Sequence, residues 1–160
     1  MAETLGSLID KLTIKDLRQH NLKSMLNSKN KKFSASEIKK KLVLIKAQRQ
    51  DLIQEIDDFI IAAARGKVKI REEKLKLYNA PEHIGRIPAS KSIAKIISAL
   101  AGKNLELWNL EDEARRKDVS DAYIGRIKRK IDLANQQRND LIDGLDELLE
   151  KCLKKSISSS

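Results

Sequence analysis

Apolar residues recur along this chain at steps of three and four, the spacing of one face of an α-helix. The first stripe is Leu5, Leu8, Ile9 and Leu12, continued by Leu17, Leu22, Met25 and Leu26. It predicts a helix over about 5–26 with Thr4 as N-cap. The polar stretch Asn27-Ser-Lys-Asn-Lys-Lys-Phe33 follows, and Ser34 with Glu37 three residues on reads as a capping box. A second helix is expected over 35–64, stopped by Gly66. Residues 67–78 are basic and have the composition of a short extra helix. Ala80-Pro-Glu-His-Ile-Gly-Arg-Ile-Pro88 is the clearest break, because two prolines and a glycine forbid a continuous helix. A third helix is expected over about 90–116. A fourth, capped by Ser120 and Asp121, should run to about 153, leaving a polar, disordered tail over 154–160.

The pattern occurs twice. Ile38, Lys39, Lys41, Leu44, Gln48, Arg49, Asp51, Leu52, Ile53 and Asp57 each have an identical residue 89 positions later, from Ile127 to Asp146. The preceding helices match more weakly, at an offset of 88: Lys15-Asp-Leu-Arg-Gln-His-Asn-Leu faces Lys103-Asn-Leu-Glu-Leu-Trp-Asn-Leu. The unit is therefore a helix–loop–helix hairpin, present twice and joined by the Pro-containing connector. One hairpin cannot bury its own apolar stripe, so the expected fold is all-α, an antiparallel four-helix bundle of two tandem hairpins. The first repeat covers about 5–64, the connector 65–89 and the second repeat about 90–153, forming a single domain over 1–153.

Each second helix has a seam at 4-3 spacing. The first reads Ile38, Leu42, Ile45, Arg49, Leu52, Ile56, Phe59, and the other Ile127, Ile131, Ala134, Arg138, Leu141, Leu145, Leu148. Both are apolar except for one arginine at the same place. The third helix, read as Ile93, Ile97, Leu100, Asn104, Leu107, Glu111 and Ala114, is interrupted by Asn104 and Glu111, with Asp16 as the counterpart of Asn104. A charge in such a seam needs a partner, because an isolated buried charge costs several kcal/mol or more. Arg49 and Arg138 are therefore expected to meet Asp16, Glu111 or Asp112 in bidentate pairs. If Glu111 or Asp112 were then left buried and unpaired, Arg138→Ala would cost about 3–5 kcal/mol. The layer reads first as a structural device that fixes register. The sharper reading is an anion- or sugar-binding pocket.

Composition narrows the partners. With 33 Lys plus Arg against 23 Asp plus Glu, the formal charge is +10, which draws nucleic acid, anionic headgroups, nucleotides and acidic proteins without choosing among them. Cys152 is alone, so no internal disulfide forms, in keeping with a reducing cytoplasm. No basic segment with a following apolar run opens the chain, and no run approaches the ~20 apolar residues of a spanning helix, so neither a signal peptide nor a transmembrane segment is expected. For a metal, His20 and His83 lie on different elements, too few with Cys152 to make a site. The cofactor is undefined by sequence.

Asn104-Leu-Glu-Leu-Trp-Asn-Leu-Glu-Asp-Glu-Ala-Arg115, then Asp118-Val-Ser-Asp-Ala-Tyr-Ile-Gly-Arg-Ile-Lys-Arg-Lys-Ile-Asp132 and Leu133-Ala-Asn-Gln-Gln-Arg-Asn-Asp-Leu-Ile142, resemble two ordered motifs of a bacterial family of unknown function. That family carries Leu-Trp-His-x-Glu-Asp-x-Ala-Arg and a later Asn-Gln-x-Arg-Asn-Asp-Leu-Ile. Its members are often encoded among genes for lipopolysaccharide and other surface glycans. The resemblance implies an accessory role near glycosyl transfer, and places the family's polar set on Trp108, Glu111, Asp112, Arg115, Asp132, Asn135, Gln136, Arg138, Asn139 and Asp140. Asn109 stands where the family pattern has His, so a general base would be missing here while a hydroxyl-binding role survives. Trp108 is read as a core anchor before a sugar-stacking platform. Glu111 and Asp112 are adjacent, so on a helix they diverge and do not make a facing carboxylate pair.

Three functions follow. The leading one is a non-enzymatic binding or scaffold protein for surface-glycan assembly, with a protein partner or a nucleotide-sugar as ligand. The candidate residues are Asp16, Arg49, Asn104, Trp108, Asn109, Glu111, Asp112, Arg115, Asn135, Arg138 and Asp140. The second is a nucleic-acid-binding bundle with basic clusters at 29–32, 39–41, 65–76, 115–117 and 126–130, where stacking aromatics are not interleaved. The third is a small all-helical enzyme, on a faint similarity of Ile127-Lys-Arg-Lys-Ile-Asp132 to the opening of helical chorismate mutases. A homo-oligomer, with hairpins exchanged between subunits, is compatible with all three.

Overall fold

A computed structural model describes residues 3–28, 33–71 and 92–158. The protein is all-α. Its four helices are α1 (Leu5–Asn27), α2 (Ala35–Ala64), α3 (Ile93–Ala114) and α4 (Asp121–Ser158), and there is no strand among the described residues. The chain divides into two compact units, Met1–Val68 and Lys69–Ser160, each holding one pair of helices.

In the first unit, α1 packs on α2. The Thr4 side chain accepts from Ser7 N and starts α1. Ser34 starts α2 with a complete capping box: Glu37 N donates to Ser34 Oγ, and Ser34 N donates to Glu37 Oε2 at 2.8 Å. At the far end Gly66 N bonds Ala63 O and Lys67 N bonds Ala62 O. This closing turn requires a left-handed residue, and Gly66 supplies it at φ 68°. The expected α2 seam is the covered one: Ile38, Ile45 and Leu52 are buried, and Leu42, Arg49, Ile56 and Phe59 are half-buried.

In the second unit, α3 packs on α4. Leu107, Ile127, Ile131 and Ala134 form a buried cluster with Leu110, Ala114 and Tyr123 against it. Lys103 contacts Gln137 while Glu113 contacts Tyr123, so partners descend along α4 as they ascend α3 and the pair is antiparallel. The α3 stripe departs from the expected one. Ile96 is fully buried and Glu111 is exposed. The covered line runs through Ile96, Leu100, Asn104, Leu107, Leu110 and Ala114, an average step of about 3.6 residues, as an unsupercoiled helix requires.

Helix α4 also continues to Ser158, past the expected end near 153 and into the segment read as a disordered tail. Lys154 pairs with Glu150 at 2.9 Å, and Lys155 in the last turn complements the negative end of the helix dipole. Within the connector, Arg71 bonds Glu147 at 2.8 Å and Glu150 at 3.2 Å on α4. Residues 67–71 are not helical, and the rest of the expected short helix, the break at 80–88 and His83 lie outside the described residues.

Candidate functional site

The duplication reappears as an interaction. In the first unit Lys15 Nζ on α1 donates to Gln48 Oε1 on α2 at 2.6 Å. In the second, Lys103 Nζ on α3 donates to Gln137 Oε1 on α4 at 2.8 Å. Lys103 stands 88 residues after Lys15 and Gln137 stands 89 after Gln48, the two offsets of the repeat. The same bond therefore sets the register of both hairpins. Sequence reasoning matched these residues without pairing them, although a Lys and a Gln kept in register on facing helices were the available signal.

One residue further on, the copies part. Arg49 Nε donates to Asp16 Oδ1, the expected partner, through one bond in place of the expected bidentate pair. By the offsets of the repeat, Asn104 and Arg138 hold the places on α3 and α4 that Asp16 and Arg49 hold on α1 and α2. Asn104 is buried, whereas Asp16 is half exposed. A neutral amide tolerates burial that a carboxylate resists. Arg138 Nε is buried and has no hydrogen-bond partner among the described residues. An unmet buried donor costs roughly 1–3 kcal/mol.

The expectation that Arg138 meets Glu111 or Asp112 is corrected. Those two carboxylates lie exposed on α3 and face Arg115, at 3.6 and 3.1 Å. With the 3.6-residue stripe, Glu111 has rotated off the seam, and the i+3 and i+4 spacings hand both acids to Arg115. The expected cost of Arg138→Ala, which required a buried partner left behind, loses its basis. On α4, the positions three and four residues from Arg138 are Ala134, Asn135, Leu141 and Ile142, none of them acidic.

Other candidates are placed as follows. Trp108 is half-buried, one turn beyond Asn104 on α3, and Asn135 is half-buried, one turn before Arg138 on α4. Asp140 is half-buried and engaged in interactions of its own. Asn109 is exposed, as are Asp132 and Asn139. Asn104, Trp108, Asn135 and Arg138 are thus buried or half-buried on α3 and α4, whereas Asn109, Glu111, Asp112 and Arg115 are exposed. Asp16 and Arg49 belong to the first unit. Among the described residues, no group of three His, Cys, Asp or Glu is gathered to hold a metal, and no helix is long and apolar enough to cross a membrane.

A second polar cluster closes the α3–α4 turn. Tyr123 Oη donates to Glu113 Oε2 at 2.9 Å, and Arg116 reaches Glu113 at 3.1 Å and Asp118 at 2.7 Å. The Tyr123 bond, then Arg116, holds the Glu113 carboxyl below its ordinary value. The same bond pushes the Tyr123 hydroxyl up, and Arg116 lowers Asp118. Arg116 and Arg126 also flank the Tyr123 ring, at 5.9 and 5.8 Å. These groups satisfy one another, the behaviour of a clasp across a turn.

The chain is, by class, an all-α protein built from a duplicated hairpin with a divergent polar seam. It belongs to the DUF4254 family, described as a protein of unknown function, whose profile matches residues 1–71 and 94–159. No curated protein and no solved structure matches it.

Proposed function

We propose that this chain is a cytoplasmic, non-enzymatic binding or scaffold protein for surface-glycan assembly, and that the seam of its second hairpin is the binding element. The divergence of two equivalent arginines carries this reading: Arg49 is neutralised within its own hairpin, while Arg138 keeps a buried Nε without a partner among the described residues. The first hairpin thus serves as an internal control for what a purely structural seam needs. Glu111 and Asp112, the acids that a catalytic reading would use, pair with Arg115 on an exposed face, which favours binding over acid–base chemistry. The glycan assignment rests on the two motifs around Trp108 and Arg138 and on the gene setting that their resemblance implies.

Native mass spectrometry of protein purified from its own host tests this. A bound mass of nucleotide-sugar size, or a co-purifying glycan-pathway enzyme, is expected. Absence of both, with no nucleotide-sugar raising the melting temperature, overturns the glycan reading. A nucleic-acid role draws support from Arg126, Lys128, Arg129 and Lys130, all exposed on the first half of α4. It predicts binding that weakens steeply with added salt.

A further inference from the structure

We propose that Arg138 is the anion-binding group of a small-ligand site between α3 and α4, taking an oxyanion, phosphate or carboxylate, on the guanidinium edge that Asp16 covers on Arg49. The proposal rests on the binding reading of the seam and names its ligand chemistry.

The first hairpin defines what the arginine accepts. There a carboxylate oxygen sits on Nε, one residue along each helix from the Lys15–Gln48 bond. The second hairpin keeps the arginine and the Lys–Gln bond but replaces the carboxylate by Asn104, which carries no charge. The change is from an internal ion pair to a cation whose counterpart position carries an amide. A guanidinium offers paired N–H donors in a fixed fork, and an oxyanion is the group that matches it.

The neighbours change in the same sense. Lys46, one turn before Arg49, becomes Asn135 one turn before Arg138. His20, one turn after Asp16, becomes Trp108 one turn after Asn104. The surroundings of Arg138 therefore exchange an acid, a lysine and a histidine for two amides and an indole. Asn104 is buried and engaged in an interaction of its own, so Asn135 is the amide offered to a ligand hydroxyl, and an indole face stacks on the C–H face of a sugar ring. Asn135, Trp108 and Arg138 are all half-buried as residues, while the Nε of Arg138 is itself buried and unmet among the described residues. Lys103 is held by Gln137 and Glu106, so it is not the countercharge that an incoming anion would meet first. A sugar bearing a phosphate or a carboxylate fits this set.

The test titrates the full chain at constant ionic strength in chloride with inorganic phosphate, glucose 1-phosphate, glucuronate and glucose, reading the melting temperature and calorimetric affinity. Saturable binding of at least one anion, with glucose inert, is expected. Arg138→Gln and Asn104→Asp should each weaken that binding by about tenfold or more, the first by removing the charge-assisted donor and the second by supplying its own carboxylate. Both variants are checked for native helicity by circular dichroism, and Asn104→Asp leaves the arginine in place. A phosphate response assigns a phosphate ester and a glucuronate response a sugar acid, and either supports the site. No anion binding beyond chloride, or binding unchanged in Asn104→Asp, overturns it. An Asn104→Asp-sensitive anion response without any glycan-pathway partner keeps the site and removes the glycan reading. A glycan-pathway partner held equally by Asn104→Asp, with no anion response, removes the site and keeps that reading.

Discussion

Arg49 and Arg138 stand at the same position of two copies of one hairpin, and only the first lies across from a carboxylate. Everything around them that sets register is shared: the Lys–Gln bond, the isoleucine at the head of the seam and the leucine three residues on. The difference teaches that the arginine is compatible with two kinds of seam. In one copy it is half of an ion pair whose members are both at least a third exposed, and such pairs contribute little to stability. In the other it carries a buried donor that the rest of the hairpin leaves unmet, a feature that stability alone disfavours.

The largest effect should come from what the copies have in common. Ile38 and Ile127 are equivalent and buried, so Ile38→Ala and Ile127→Ala are each expected to cost about 2–5 kcal/mol in urea denaturation. A cost well under 2 kcal/mol at one of them would show that the seams are not packed alike. Next come the helix starts. Ser34→Ala removes the Oγ that accepts from Glu37 N, leaving only the backbone half of the capping box, and should cost about 1 kcal/mol. Ser120 Oγ accepts from Tyr123 N at 3.3 Å, so Ser120→Ala should cost less, about 0.5 kcal/mol, in the same urea denaturation.

The arginines should then respond with opposite sign. Arg138→Met removes an unmet buried donor and keeps the apolar stem, so a stabilisation of about 1 kcal/mol is expected. Arg49→Met removes a partly exposed pair and should cost roughly 0.2–1 kcal/mol. Equal effects would erase the contrast on which the second seam's role depends.

The smallest effect is a pH dependence at the hairpin tips, whose alkaline part belongs to one of them. Glu113 is held below its ordinary value, so its contribution is present above the unfolded carboxylate range and fades as pH falls through the folded value. Tyr123 is raised, so its contribution is complete below about pH 10 and fades as pH rises further. Position 34, the counterpart of Tyr123, is serine, and its cap partner Glu37 is likewise lowered. Melting temperature against pH should therefore show an acid limb from both tips and a shallow alkaline limb that Tyr123→Phe removes. An alkaline limb that survives Tyr123→Phe would assign it elsewhere.

Most of the local structure was legible. Thr4, Ser34 with Glu37, and Gly66 each carry a specific backbone consequence, and the structure shows all three. The pairing of Asp16 with Arg49 followed from two charges at matched depths. Glu111 misled because a 3.5-residue template drifts by about 20° per heptad on a straight helix, enough over α3 to swing an exposed side chain onto an assumed seam. The same drift hid Ile96. The condition of Arg138 was illegible for another reason: it depends on Arg115 claiming Glu111 and Asp112, contacts that only the three-dimensional register decides.

The Lys–Gln bonds also bear on how the chain acquires its structure. Each joins residues 33 or 34 positions apart, and the helices that pack do so with their sequence neighbours. Loop closure over such distances is entropically cheap, and proteins dominated by local contacts fold fast. During synthesis the first hairpin has its Lys–Gln bond, its capping box and its glycine stop in hand before α3 exists. The repeat that settles its own charges is thus also the one that is made first.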